Sequence, residues 1–81
     1  MRVTVRLFAQ LRDAVGFGVW EAEIKPGAVV GDVWRDVTTR HPNVAPFEKA
    51  ISCAVNANFA RMNQPVADGD EVAFLPPVSG G

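Results

Sequence analysis

From the N-terminus, Val3, Val5 and Leu7 fall on one side of the chain and Arg2, Thr4 and Arg6 on the other. This period of two belongs to a half-buried strand, expected over residues 2–8. The pattern then changes. Ala9 to Val15 carries apolar residues at helical spacing and stops at Gly16, a natural C-terminal cap, which predicts a short helix or helical turn. Alternation returns from Gly18 to Ile24 and closes on the turn signal Lys25-Pro26-Gly27. A second strand follows, joined to the first as a loose hairpin.

Between Val30 and Arg40 the apolar residues Val30, Val33, Trp34 and Val37 take the spacing of one helical face, and Pro42 prevents much extension beyond His41. This is the main helix. Val33, Val37, Thr38 and Thr39 are β-branched, so packing onto a sheet rather than intrinsic propensity must hold it. Residues 43–50, with Pro46, read as irregular. Ile51 to Phe59 reads as a strand, with a short extra strand near residues 60–62. Val66 to Asp70 turns the chain into a last strand from Glu71 to Leu75, which Pro76-Pro77 ends because neither residue donates a ladder hydrogen bond. Two strands, a crossover helix and two or three more strands predict an α+β fold. It is of the β-grasp, ubiquitin-like class, a mixed sheet of four to five strands packed on one main helix. Residues 1–75 form the domain, and residues 76–81 form a flexible C-terminal tail.

The composition supports one small core. Val, Ile, Leu and Phe make up 23 of 81 residues, enough for a chain of this length to fold by itself. A net charge of −1 removes the electrostatic basis for nonspecific binding to nucleic acid or an anionic membrane. No apolar run approaches the roughly 20 residues that cross a bilayer. The alternating start is unlike the apolar stretch of a signal peptide. A lone cysteine, Cys53, cannot form an intrachain disulfide, and a cytoplasmic location is expected.

Most catalytic signatures are missing. No Gly-Lys pair occurs, which removes a phosphate-binding P-loop, and Gly16-Phe17-Gly18 lacks the third glycine and following helix of a dinucleotide site. His41 and Cys53 are each the only residue of their kind, so no metal site is expected. His41 reads as a helix C-terminal residue that favours the dipole. Cys53, in mid-strand, reads as a buried, inert thiol. Asp68 and Asp70 lack the spacing of a calcium loop and read as turn formers. Side-chain catalysis is not expected.

What remains is Val78-Ser79-Gly80-Gly81. At about 7% usage, two adjacent glycines at a given place arise by chance roughly once in 200. A carboxylate that must pass down a narrow channel needs a tail without Cβ atoms and with free φ/ψ. At ~3.3 Å per residue, residues 76–81 reach about 20 Å. The Gly81 carboxylate is therefore the candidate reactive group, with Gly80 as its spacer.

Leu7 to Arg12, Ala54-Val55-Asn56, Asp68 to Phe74 and Pro76-Pro77-Val78-Ser79-Gly80-Gly81 together resemble the family of sulfur-carrying small subunits of molybdopterin synthase, ubiquitin-like proteins ending in Gly-Gly. Residues 17–50 carry little of this signal, and Val29 and Val66 stand where the family often has Thr and Leu. The resemblance implies a sulfur carrier that is not catalytic by itself. A ubiquitin-activating-like adenylyltransferase, using ATP and magnesium, would convert Gly81 to an acyl-adenylate, and a sulfur donor protein would make the thiocarboxylate. The tail would then enter the large catalytic subunit of the synthase heterotetramer and donate sulfur to the cyclic pyranopterin precursor. Two carriers supply one dithiolene. No cofactor is bound by the chain itself.

Parity adds a candidate docking surface. If Val3, Val5 and Leu7 face the core, Phe8 has the opposite parity, and Leu75 likewise opposes Val72 and Phe74. Two large apolar groups on the solvent side suggest a contact patch, which Phe59 extends and Arg12 rims. The resemblance adds Pro76, Pro77, Val78 and Ser79 to the partner-binding set. Two other readings stay open. The chain is a sulfur carrier for thiamine or cysteine synthesis or a ubiquitin-like protein modifier, or it is an interaction module with an inert tail.

Overall fold

The computed structural model describes residues 1–77. Its strands are β1 (Arg2–Leu7), β2 (Val19–Glu23), β3 (Ser52–Val55), β4 (Asn58–Ala60) and β5 (Glu71–Leu75), and its helices are α1 (Ala9–Val15) and α2 (Val30–Arg40). The strands form one sheet in the order β2-β1-β5-β3-β4. β5 lies in the centre, parallel to β1 and antiparallel to β3. The expected β-grasp architecture is present.

The core lies between one face of the sheet and α2. Val3, Val5, Leu7, Val55, Val72 and Phe74 meet Val30, Val33, Trp34 and Val37, all buried. Trp34 is tilted over Phe74 with ring centroids 5.0 Å apart. Its indole Nε1 donates to Glu48 Oε1 at 3.1 Å, so the large ring is buried without an orphaned donor.

Capping of α2 replaces a missing side chain with main chain. Val29 at the N-cap has no acceptor, and only the reciprocal half of a capping box forms, with Asp32 Oδ2 accepting from the Val29 amide at 2.9 Å. The carbonyls of Gln64 and Met62 take the amides of Val30 and Gly31 at 2.9 and 2.7 Å. Gly31 eases that approach, because a Cβ there would stand 3.2 Å from the Met62 carbonyl oxygen and push it back by a few tenths of an ångström.

Two local expectations are corrected. Residues 51–59 are not one strand: the chain reverses between β3 and β4 through Asn56 and Ala57, both at positive φ (50° and 71°), as a primed two-residue turn requires. The extra strand is thus Asn58–Ala60 rather than 60–62. Residues 43–50 are not simply irregular, since Pro42–Phe47 forms a 3-10 helix with Pro42 in its first turn, where no amide donor is needed, and Pro46 inside it. α1 ends on Gly16 at φ 100°, its amide bonded to the Arg12 carbonyl.

Candidate functional site

The face of the sheet away from α2 is built by strand register. Val19 pairs with Arg6, Arg6 with Ala73, Ala73 with Ala54, and Ala54 with Phe59, so these five residues form one row across all five strands. Side chains alternate along each strand, and the row opposes the apolar set in the core. Ala73 and Ala54 are low, whereas Arg6 and Phe59 are tall and stand three strand spacings apart, roughly 14 Å at ~4.8 Å each. Ala73 and Ala54 are 8% and 9% exposed, so the middle of the row is covered and its Phe59 end is open. Phe59 is 86% exposed, a large fraction for an isolated phenyl group.

The tail leaves from one end of this face. Leu7 is paired with Phe74 and Ser52 with Leu75, so the next residue of the first strand, Phe8, and the last of β5, Leu75, flank the point where Pro76 begins. Both are partly buried on the solvent-parity side. The Arg6 guanidinium lies 5.1 Å from the Phe8 ring centroid and its Nη1 is 3.7 Å from Glu71 Oε2. Arg12 is exposed on α1. Its aliphatic stem crosses Gly18 so closely that a Cβ on that glycine would meet Arg12 Cδ at 2.8 Å. Pro76 is partly exposed and Pro77 exposed, while Val78, Ser79, Gly80 and Gly81 lie outside the described residues.

The remaining chemistry-bearing residues serve the fold. Asp70 Oδ2 accepts from the Ala67 amide at 2.8 Å and its Oδ1 from Asn56 Nδ2 at 2.9 Å. Asn56 Oδ1 in turn accepts from the Glu71 amide at 2.9 Å. These bonds hold the Asp70 carboxyl below its ordinary range, the Ala67 amide first and the Asn56 amide second. Asp68 Oδ1 accepts from the Arg2 amide at 2.7 Å. The Asp-Gly-Asp segment therefore locks the start of β5 to β1 and to the β3–β4 turn. Cys53 faces the core, its Sγ 3.9 Å from Met62 Sδ, and burial pushes its thiol pKa up. A thiolate is disfavoured there. His41 forms edge contacts with Phe17 and Trp20, at 5.6 and 6.0 Å between centroids. Among the described residues no group of His, Cys, Asp and Glu side chains is arranged to hold a metal ion, and no helix is long and apolar enough to cross a membrane.

Arg6, Ala54 and Ala73 are absent from the sequence-derived surface. Parity places them there, but two alanines carry no signal of their own until the register aligns them. Asn56 was equally silent, because its role depends on a turn that brings it beside Asp70.

A β-grasp domain whose last strand leads into Pro76 and Pro77 at one end of the outer sheet face defines the ubiquitin-like class. Residues 5–81 match the ThiS family, and the chain belongs to it. It is 34% identical over its whole length to the molybdopterin synthase sulfur carrier subunit of Chlamydomonas reinhardtii, covering 100% of both chains. The crystal structure of small archaeal modifier protein 1 from Haloferax volcanii superposes with a TM-score of 0.90 at 28% identity, again covering 100% of both chains. A chain of the Amycolatopsis orientalis BexX/CysO complex superposes with a TM-score of 0.73 at 30% identity, over 98% of this chain and 99% of that one.

Proposed function

We propose that this chain is the sulfur carrier subunit of a molybdopterin synthase in the cytoplasm. The observation that carries the reading is the full-length identity to a subunit of that name, which runs through the Gly80-Gly81 end. The structural setting supports it in that the chemistry-bearing side chains Cys53, Asp68 and Asp70 are committed to the core or to turns.

In this reading a partner adenylyltransferase of the ubiquitin-activating type binds ATP and magnesium. A Gly81 carboxylate oxygen attacks the α-phosphorus and pyrophosphate leaves, giving an acyl-adenylate with AMP as its leaving group. Hydrosulfide supplied by a sulfur donor protein attacks the acyl carbon, the carbon–oxygen bond to AMP breaks, and AMP leaves, which forms the thiocarboxylate. Phe8, Arg12, Phe59, Leu75, Pro76 and Pro77 dock on the large catalytic subunit, while Val78, Ser79, Gly80 and Gly81 enter its active site. There the thiocarboxylate donates sulfur to the cyclic pyranopterin precursor.

Intact mass after incubation with ATP, magnesium, a sulfur donor and the activating enzyme tests the reading. A gain equal to replacing one oxygen by sulfur, mapped to Gly81, is expected. One residue appended after Gly81 is expected to abolish loading while folding and docking persist, because it moves the carboxylate without touching the core. Normal loading of the extended chain overturns the mechanism. A second reading, a protein modifier, draws on the likeness to small archaeal modifier protein 1. It predicts isopeptide conjugates of Gly81 on lysines of other proteins and no sulfur transfer to the pterin precursor.

A further inference from the structure

The sheet has two edges, β2 and β4; the proposed docking face reaches β4 through Phe59 and touches only the start of β2, where the Arg12 stem crosses Gly18. At the other edge, the Leu7 amide donates to the Gly18 carbonyl at 2.8 Å, and Met1 and Ile24 exchange two bonds of 2.8 Å. Residues bonded to the neighbouring strand alternate in an antiparallel ladder, so Gly18, Trp20, Ala22 and Ile24 face β1. Val19, Glu21 and Glu23 therefore turn their amides and carbonyls outward. Such a row is a template for another strand.

The side chains along this edge limit what that strand is. Val19 is 59% exposed. Glu23 is paired with Arg2 at 3.1 Å, and Arg6 is drawn to Glu71 at 3.7 Å. Glu21 stands opposite Thr4 and joins no ion pair among the described residues. On the helix side, a groove of about 510 Å³ between β2 and α2 has Ile24 and Ala28 in its lining, with Glu23, Asp32 and Asp36 against Lys25 and Arg35. A second copy of the chain pairing antiparallel along β2 would bring glutamates face to face, which opposes self-association.

We infer that the β2 edge accepts an extended basic segment of a partner protein as a sixth strand. Its Lys or Arg side chains face Glu21 and Glu23, an apolar residue covers Val19, and the intervening apolar residues lie toward the groove.

The test uses the full chain, labelled with nitrogen-15, and the peptide acetyl-Thr-Lys-Val-Lys-Val-Val-amide. Shift changes centred on Val19, Glu21 and Glu23 are expected, with amide exchange at these three residues slowed about tenfold at saturation, because the peptide carbonyls now protect them. Glu21→Lys, an exposed substitution, is expected to weaken binding about fivefold, since it turns a cross-strand attraction into a repulsion. Absence of binding at millimolar peptide overturns the inference, as do changes centred on β4 or an equal affinity for the peptide with both lysines replaced by glutamate. Concentration-dependent dimerisation that protects the same three amides also overturns it, by making a second copy the occupant.

Discussion

The two faces of the sheet are made by the same strands and differ in what they are asked to do. On the inner face, Val5, Leu7, Val72 and Phe74 are at most 2% exposed and locked beneath α2. On the outer face, one residue away along each strand, stand Arg6, Ala73, Leu75 and the Ala54–Phe59 pair. A period of two thus lets one segment carry both the stability of the domain and the surface proposed to meet partners. The lesson is that position parity, not hydrophobicity, separates the two roles: Phe74 and Phe59 are the same residue type with opposite burdens.

The strongest way to break that comparison is to truncate both phenylalanines. Phe74→Ala is expected to cost about 3–5 kcal/mol, because it removes the ring beneath Trp34 and leaves a cavity. For a small domain near 5 kcal/mol of total stability, this leaves about 0–2 kcal/mol, so the denaturant midpoint of this variant should fall close to zero denaturant. Phe59→Ala is expected to change stability by less than about 0.5 kcal/mol, as an exposed side chain outside the core cluster. Its effect should appear in binding to the synthase large subunit, weakened about tenfold or more by loss of an aromatic anchor and measured by titration calorimetry. A melt of Phe59→Ala as damaged as that of Phe74→Ala would end the distinction between the faces.

Much of this division is legible in the sequence. The apolar stripe of α2 and the following Pro42 give its bounds, Val30–Arg40, and the alternations give β1, β2 and β5 to within a residue or two at each end. The β3–β4 reversal is less legible because Asn56-Ala57 lacks the glycine that usually marks a primed turn. The 3-10 helix was hidden by Pro42 and Pro46, which argue against a longer α-helix without excluding a tighter one. Parity puts Phe8 and Leu75 on the outer face, and both lie there, partly covered rather than free. The row from Arg6 to Phe59 is a product of register between strands far apart in sequence, which no local pattern encodes.

The turn itself offers a smaller and opposite effect. Ala57 holds φ 71°, a region in which a Cβ is strained, so Ala57→Gly is expected to raise stability by about 1 kcal/mol. A rise in Tm of about 4–8 °C corresponds to that gain in a domain of this size. Because the turn belongs to neither face, binding to the large subunit should be unchanged. A variant that gained stability but lost binding would show that the turn angle sets the Phe59 ring in place, and would sharpen the outer face into a rigid surface.

The smallest expected effect lies at the junction of the faces, where Asp70 joins the β5 entrance to Asn56. Its carboxyl titrates lower in the folded chain than the ordinary value of 3.8, because the charged form accepts from the Ala67 amide and from the Asn56 side chain. A depressed folded pKa means that the unfolded chain takes up the proton first. The contribution of Asp70 is therefore present above 3.8 and lost as pH falls through the lower folded value. Asp70→Asn keeps the shape but cannot offer two carboxylate acceptors, so it should be less stable than the parent chain at neutral pH. Denaturant melts of the two chains should converge as the pH is taken below 3.8. A gap that stays constant across that range would show that ionisation of Asp70 is not the source of its contribution.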